Sequence, residues 1–247
     1  MIRRFLPSLA LAFALAAPAA AQEKPFSTQQ EDAVRRIVRD YLLKHPDVIA
    51  EAIQILQQRQ KADADDKRRM MLEMRRGELT GTEGGNPVLG TPKGDVVIAE
   101  FFDYRCGYCK QVAPHVMKLL ESDRNVKLVL IELPILGKDS VFATRASLAS
   151  MKQGKYLPYH NAMMGHRGQL DEATVLRVAR ESGLDVERLK RDMADPGVEA
   201  TIRRNMDLAE ALDLNGTPAF VIGDEVVPGA IGPEALRELV KKARGGG

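Results

Sequence analysis

The sequence predicts an α/β protein whose sheet is interrupted by a helical insertion and preceded by a small helical arm. Three observations predict it. An apolar run from Asp95 to Phe102 leads directly into sequence of helical spacing, and the junction holds the only two cysteines of the 247 residues, Cys106 and Cys109. A second apolar run lies at Val126 to Ile135, yet strand-like sequence resumes only near Phe220, with a helical pattern in between. Ahead of all this, Ser27 to Met74 reads as helices, the first amphipathic and the later part almost wholly polar.

The chain opens like an export leader. Arg3 and Arg4 form a basic start, Phe5 to Ala17 an apolar centre, and Ala19-Ala20-Ala21 a small-residue site for cleavage before Gln22. The run is too short for a comfortable membrane span, and no later segment is long and apolar enough to make one. The formal net charge of +2 resides in the leader, since without Arg3 and Arg4 the chain has 34 basic against 34 acidic residues. With no basic stripe, a nucleic-acid partner is excluded. An exported chain meets oxidising surroundings, and here it has no third thiol to compete with the pair.

Residues 22–76 are expected to form the arm. Ser27-Thr28-Gln29-Gln30 opens a helix in capping-box style, and Val34, Ile37, Val38, Tyr41 and Leu42 form its apolar stripe. His45-Pro46-Asp47 breaks it. A second helix restarts with Val48, Ile49, Ala52, Ile53 and Leu56, and from Gln57 to Arg69 it is nearly devoid of large apolar residues. Two short amphipathic helices cannot bury their stripes on themselves, so they need another surface, either a second protomer or their own catalytic domain. The second protomer is the preferred reading, because the polar stretch and the glycines after it hold the helices away from that domain. Gly77, Gly81, Gly84, Gly85 and Pro87 mark residues 77–90 as a linker into a catalytic domain over 91–247.

In that domain the strand before Cys106 is apolar throughout, which suits burial on both faces. The helix after it carries Val112, Val116, Leu119 and Leu120 on one side. Cys106 therefore falls at a helix N-terminus, where free N–H groups and the macrodipole favour a thiolate, and Cys109 follows one turn later within disulfide reach. A thiolate attacks disulfides, so the pattern points to redox exchange. A purely structural bridge would close too small a loop to stabilise much. Zinc would need two more ligands, and His45, His115, His160 and His166 show no paired spacing. The helical stretch of about 138–213 is expected to break at Gly154, Pro158, Gly168, Gly183 and Pro196-Gly197. Met151, Met163 and Met164 within it read as core rather than groove. Ala219 to Val227 reads as a hairpin about Gly223-Asp224, and Pro233 as the first residue of a closing helix.

The segment Phe101-Phe-Asp-Tyr-Arg-Cys-Gly-Tyr-Cys-Lys110 resembles the active-site segment of the DsbA-type thiol-disulfide oxidoreductases of the bacterial envelope. Gly216-Thr217-Pro218-Ala219-Phe220 is similar to that family's loop before a strand, whose proline is cis and packs beside the disulfide. The resemblance covers Asn86 to Arg244. It implies a thioredoxin fold with a helical insertion, no cofactor beyond a Cys106–Cys109 redox disulfide, no metal, and a periplasmic location. By the same resemblance Cys106 is the nucleophile, Cys109 resolves the mixed disulfide, Thr217 touches the pair, and Glu100 is a buried acid on the strand leading to it. Ser27 to Leu56, centred on Tyr41-Leu-Leu-Lys-His-Pro-Asp-Val-Ile49, resembles the N-terminal segment of ScsC-like members, which mediates self-association.

The dipeptide Gly107-Tyr108 departs from the Pro-His of the strongly oxidising members and removes a switchable positive charge from between the cysteines. Gly-Tyr, like Thr before the proline, is familiar from dimeric DsbC-type isomerases. The resemblance thus implies an isomerase or reductase acting on unfolded or misoxidised exported proteins, with a membrane redox partner of the Dsb type. Two alternatives stay open: a dedicated oxidase, and a chaperone-like or metal-tolerance protein whose thiols bind Cu(I).

Overall fold

The computed structural model describes residues 26–245. The expected leader, Met1 to Ala21, lies outside the described residues. The chain divides into two compact units, the first ending at Gln60 and the second beginning at Lys61.

In the first unit, α1 (Thr28–Lys44) starts from the expected capping box. Ser27 Oγ accepts the Gln30 N–H at 3.4 Å, and Gln30 Oε1 accepts the Ser27 N–H at 2.9 Å. The helix ends at His45, whose φ of −128° and ψ of 65° lie outside the helical region, as a following proline demands. α2 (Asp47–Met74) then runs without interruption. No residue of α1 is buried. Val34, Ile37, Val38 and Tyr41 on α1, and Ile49, Ile53 and Leu56 on α2, are all exposed.

The second unit corrects the expected linker. The C-terminal end of α2 buries Leu72, and a single turn, α3 (Arg76–Leu79), buries Leu79. Both join a cluster with Ala99, Phe101, Val129, Ile131 and Leu208. Beyond them, Asn86 and Asn205 exchange two amide hydrogen bonds of 2.8 and 2.9 Å. Thr201 and Arg204 both donate to the Gly84 carbonyl. The segment closes with strand β1 (Val88–Gly90). Its glycines are turn-makers rather than slack: Gly90 has φ +75°, and a Cβ there would strike the Val126 carbonyl.

The sheet has the order β1-β3-β2-β4-β5. β2 (Val96–Phe102) and β3 (Val126–Glu132) are parallel, and β4 (Ala219–Ile222) pairs antiparallel with β2 and with β5 (Glu225–Pro228). β1 pairs antiparallel with β3. This is the expected thioredoxin-like sheet, with the hairpin turning at Gly223-Asp224. Alternation divides the strands between two layers. Val96, Ile98 and Phe102 of β2 pack with helix α4 (Gly107–Ser122), whereas Ala99 and Phe101 pack on the other side.

The insertion between β3 and β4 comprises α5 (Lys138–Ser150), α6 (Tyr156–Gly165), α7 (Glu172–Glu181), α8 (Val186–Met193) and α9 (Pro196–Ala211). The expected break at Pro158 does not occur. Pro158 sits in the first turn of α6, where its missing N–H has no helical acceptor to lose. Met163 and Met164 are core residues, and Met151 is partly exposed. α10 (Pro233–Ala243) closes the fold, burying Leu236 and Val240 in the cluster that holds α4.

Candidate active site

The site is built where β2 hands over to α4. Residues 103–105 make the turn, and Cys106 is the N-cap of α4, with extended φ and ψ of −74° and 116°. Its N–H donates to the Asp103 carbonyl at 3.0 Å. The Asp103 carboxylate is fully buried and fastens the turn. Its Oδ1 accepts the Arg105 N–H at 2.7 Å and the Ser140 hydroxyl at 2.8 Å, while Oδ2 accepts the Leu136 N–H at 3.0 Å.

Both cysteines are free thiols, in unequal surroundings. Cys106 as a residue keeps a small exposure to solvent, and its Sγ donates to the Thr217 carbonyl at 3.2 Å. Cys109 is wholly enclosed. Burial pushes its thiol well above the ordinary range, against the opposing pull of the Asp103 backbone and the Thr217 side chain. The Thr217–Pro218 peptide is cis, as expected, and Thr217 lies against the sulfurs. Between the cysteines, Gly107 is exposed and a Cβ there would meet nothing within 4 Å; Tyr108 is 64% exposed and uncharged.

Glu100 projects from β2 into the α4 layer, between Leu130 and Phe220 on the neighbouring strands. It is 2% exposed, its Oε1 has no hydrogen-bond partner, and burial alone pushes its carboxyl up to about 8. The structure also shows a group that sequence reasoning missed. Glu132, at the end of β3 and on the same face, is fully buried and pushed up to about 8, with desolvation outweighing hydrogen bonds from Ser147, Thr144 and Tyr156. The Tyr156 hydroxyl donates to Glu132 Oε1 at 3.2 Å. Nearby, the Tyr104 hydroxyl lies 2.6 Å from Ser147 Oγ and 3.0 Å from His160 Nδ1. His160 is buried, and desolvation pulls it down to about 3, so it is neutral across the physiological range. Glu132 left one trace in the sequence: it is a lone acid in an otherwise apolar run, as Glu100 is.

A buried strand, a helix capped by the first of two cysteines, and a cis-prolyl loop against the first sulfur define a thioredoxin-fold dithiol protein. The model of the DSBA-like thioredoxin domain matches residues 97–241, more than half of the chain, and the chain belongs to that family. In fold and dithiol site it is similar to thiol-disulfide exchange proteins of the DsbA/ScsC type. Residues 30–63 match the copper resistance protein ScsC N-terminal domain.

Among solved structures, a thioredoxin-like oxidoreductase from Silicibacter pomeroyi is 49% identical, covering 69% of this chain and 98% of its own, with a TM-score of 0.67. Proteus mirabilis ScsC in a transitional conformation is 31% identical, covering 89% of this chain and 99% of its own, with a TM-score of 0.66. Curated relatives include a Na(+)/H(+) antiporter, NhaA 3, from Salinispora tropica, 30% identical over 158 residues. That match takes in 63% of this chain, which spans about a quarter of the antiporter's length (24%). Among the described residues no helix is long and apolar enough to cross a membrane.

Proposed function

We propose that the protein is exported to the periplasm, loses its leader after Ala21, and acts there as a disulfide isomerase or reductase on unfolded or misoxidised proteins. Cys106 is the attacking thiol. Its thiolate opens a substrate disulfide, forming a mixed disulfide and releasing one substrate thiolate. Either that thiolate or another from the substrate then displaces Cys106, or Cys109 does so and leaves the site oxidised. The observation that carries this reading is the inequality of the two sulfurs. Cys106 caps α4 with an opening to solvent, and Cys109 is enclosed and held protonated by burial.

Isomerisation is favoured over oxidation by two features. The uncharged Gly107-Tyr108 gives the Cys106 thiolate no cationic partner, so the reduced pair is not stabilised as it is in strong oxidants. The apolar residues of α1 and early α2 are exposed in the single chain, which supports an oligomer assembled through Ser27 to Leu56. Several catalytic units in one assembly raise the local concentration of thiols around a trapped substrate. A Dsb-type membrane partner would keep the pair reduced.

The test is direct. Cys106→Ala abolishes exchange, and Cys109→Ala accumulates mixed disulfides with unfolded substrate. Light scattering on the protein from Gln22 gives an oligomer, and scrambled-ribonuclease reactivation exceeds that of a chain lacking the arm. An arm-independent rate defeats the isomerase reading. Faster oxidation of reduced ribonuclease than reactivation of the scrambled form would make the protein an oxidase. A second reading, Cu(I) held by the two thiolates, is favoured by the name of the matched N-terminal family. Competition between Cu(I) and oxidised glutathione for the reduced protein separates the two.

A further inference from the structure

Beside the active-site turn, α4 and the end of α6 enclose an open groove of about 290 Å³. We propose that this groove seats an extended segment of the substrate polypeptide, one bearing an acidic side chain two residues from its reacting cysteine and an apolar side chain about five residues away. The inference rests on Cys106 as the attacking thiol.

The groove is aligned with that thiol. Lys110, Pro114, Met117 and Glu121 of α4 line it at intervals of four, three and four residues, one face of the helix. Cys106 stands four residues before Lys110, at the head of the same stripe. At a 1.5 Å rise per residue, Lys110 lies about 6 Å and Met117 about 16 Å beyond Cys106 along the axis. An extended chain advances about 3.3 Å per residue, so these positions face the second and the fifth residue from a substrate cysteine held at Cys106.

The chemistry along the groove is graded. At its head, Lys110 Nζ donates to the His166 carbonyl at 2.7 Å, and Arg167 Nη1 donates to the Met164 carbonyl at 3.1 Å. These bonds hold the two cations without neutralising them, and neither forms an ion pair with a carboxylate among the described residues. Asp103, the acid acting on Lys110, is engaged by Arg105, Leu136 and Ser140. Burial and the like charge of Arg167 both pull the Lys110 ammonium down, so an incoming carboxylate would relieve an existing repulsion. Next along, Pro114 has no N–H, so the Lys110 carbonyl lacks its α-helical donor. Met117 and Met164 then supply deformable apolar walls. Glu121 at the far end disfavours a second acid.

The test uses the reduced full-length protein and peptides carrying one cysteine as a mixed disulfide with 2-mercaptoethanol. One peptide set has Asp or Asn two residues from the cysteine, on either side; another has Leu or Ser five residues away. Bis(2-hydroxyethyl) disulfide reports the thiol chemistry alone. The expected result is that the Asp peptide, in one of the two orders, reacts about fivefold faster than the Asn peptide, the scale of a single partly exposed ion pair. Arg167→Glu removes or inverts that preference, Met117→Asp removes the preference for Leu, and neither changes the rate with the small disulfide. Equal rates for Asp and Asn peptides overturn the groove, as does an Arg167→Glu variant slowed equally toward every disulfide, or a preference that survives it. An unmodified protein inert even to the small disulfide overturns the reading of Cys106, and the groove with it.

Discussion

Replacing Glu100 by Gln isolates the cost of the buried acid. The unfolded chain ionises this carboxyl near its ordinary value of 4.5, whereas the folded protein holds it to about 8. Below pH 4.5 both states are protonated and no cost arises. Between 4.5 and 8 only the unfolded state has lost the proton, so unfolding releases it and stability falls as pH rises; above 8 both are ionised and the cost is constant. Each pH unit in that window is worth about 1.4 kcal/mol, so from pH 5 to 7 the wild type loses about 3 kcal/mol relative to Glu100→Gln, a large share of the 5–15 kcal/mol typical of a domain. Glu132 is present in both proteins and cancels in the difference. Urea unfolding of the reduced proteins at pH 5, 6, 7 and 8 measures it. A stability difference that does not change with pH would refute the assignment of Glu100 as a protonated, desolvated acid.

Three further outcomes are expected. His160, pulled down to about 3, contributes stability that is complete above its unfolded value of 6.5 and is lost as pH falls toward 3; His160→Phe flattens the acid limb of the stability profile, measured by denaturation from pH 7 to 4. Gly107→Pro with Tyr108→His places a cation beside Cys106 at a site with room for it, and raises the reduction potential by tens of millivolts, about 30 mV for each 1.4 kcal/mol of thiolate stabilisation, read by glutathione equilibration. A chain starting at Gly81 loses Leu72 and Leu79 from the core and unfolds at much lower denaturant than one starting at Lys61, the two side chains together being worth at least about 4 kcal/mol.

What was legible in the sequence was local. The capping box at Ser27, the break before Pro46, the strand feeding the cysteines and the hairpin at Gly223 each follow from a few adjacent residues, and the structure has each in place. The segment 77–90 was misread because composition does not separate a glycine that loosens a chain from one that turns it. What decides is Asn205, 119 residues beyond Asn86, and no spacing rule connects them. The Glu132 cluster was hidden for the same reason. Its members come from β3, the active-site turn, α5 and α6, and only folding brings them together.

That cluster changes how the insertion is understood. An insertion that only lengthened a connection would leave the turn before Cys106 to the sheet and α4. Instead, Asp103 receives Ser140 from α5 and Leu136 from the entry to it, and Tyr104 reaches Ser147 on α5 and His160 on α6. Both residues are fully buried, so losing either set of partners strands a polar group in the interior, at about 1–3 kcal/mol each. Two of the three residues that aim Cys106 are therefore held from the side of the insertion. The same insertion supplies Met164 and Arg167 to the groove along α4. The position of Cys106 and the surface beside it thus depend on one set of helices, and a shift of α5 and α6 would alter both together.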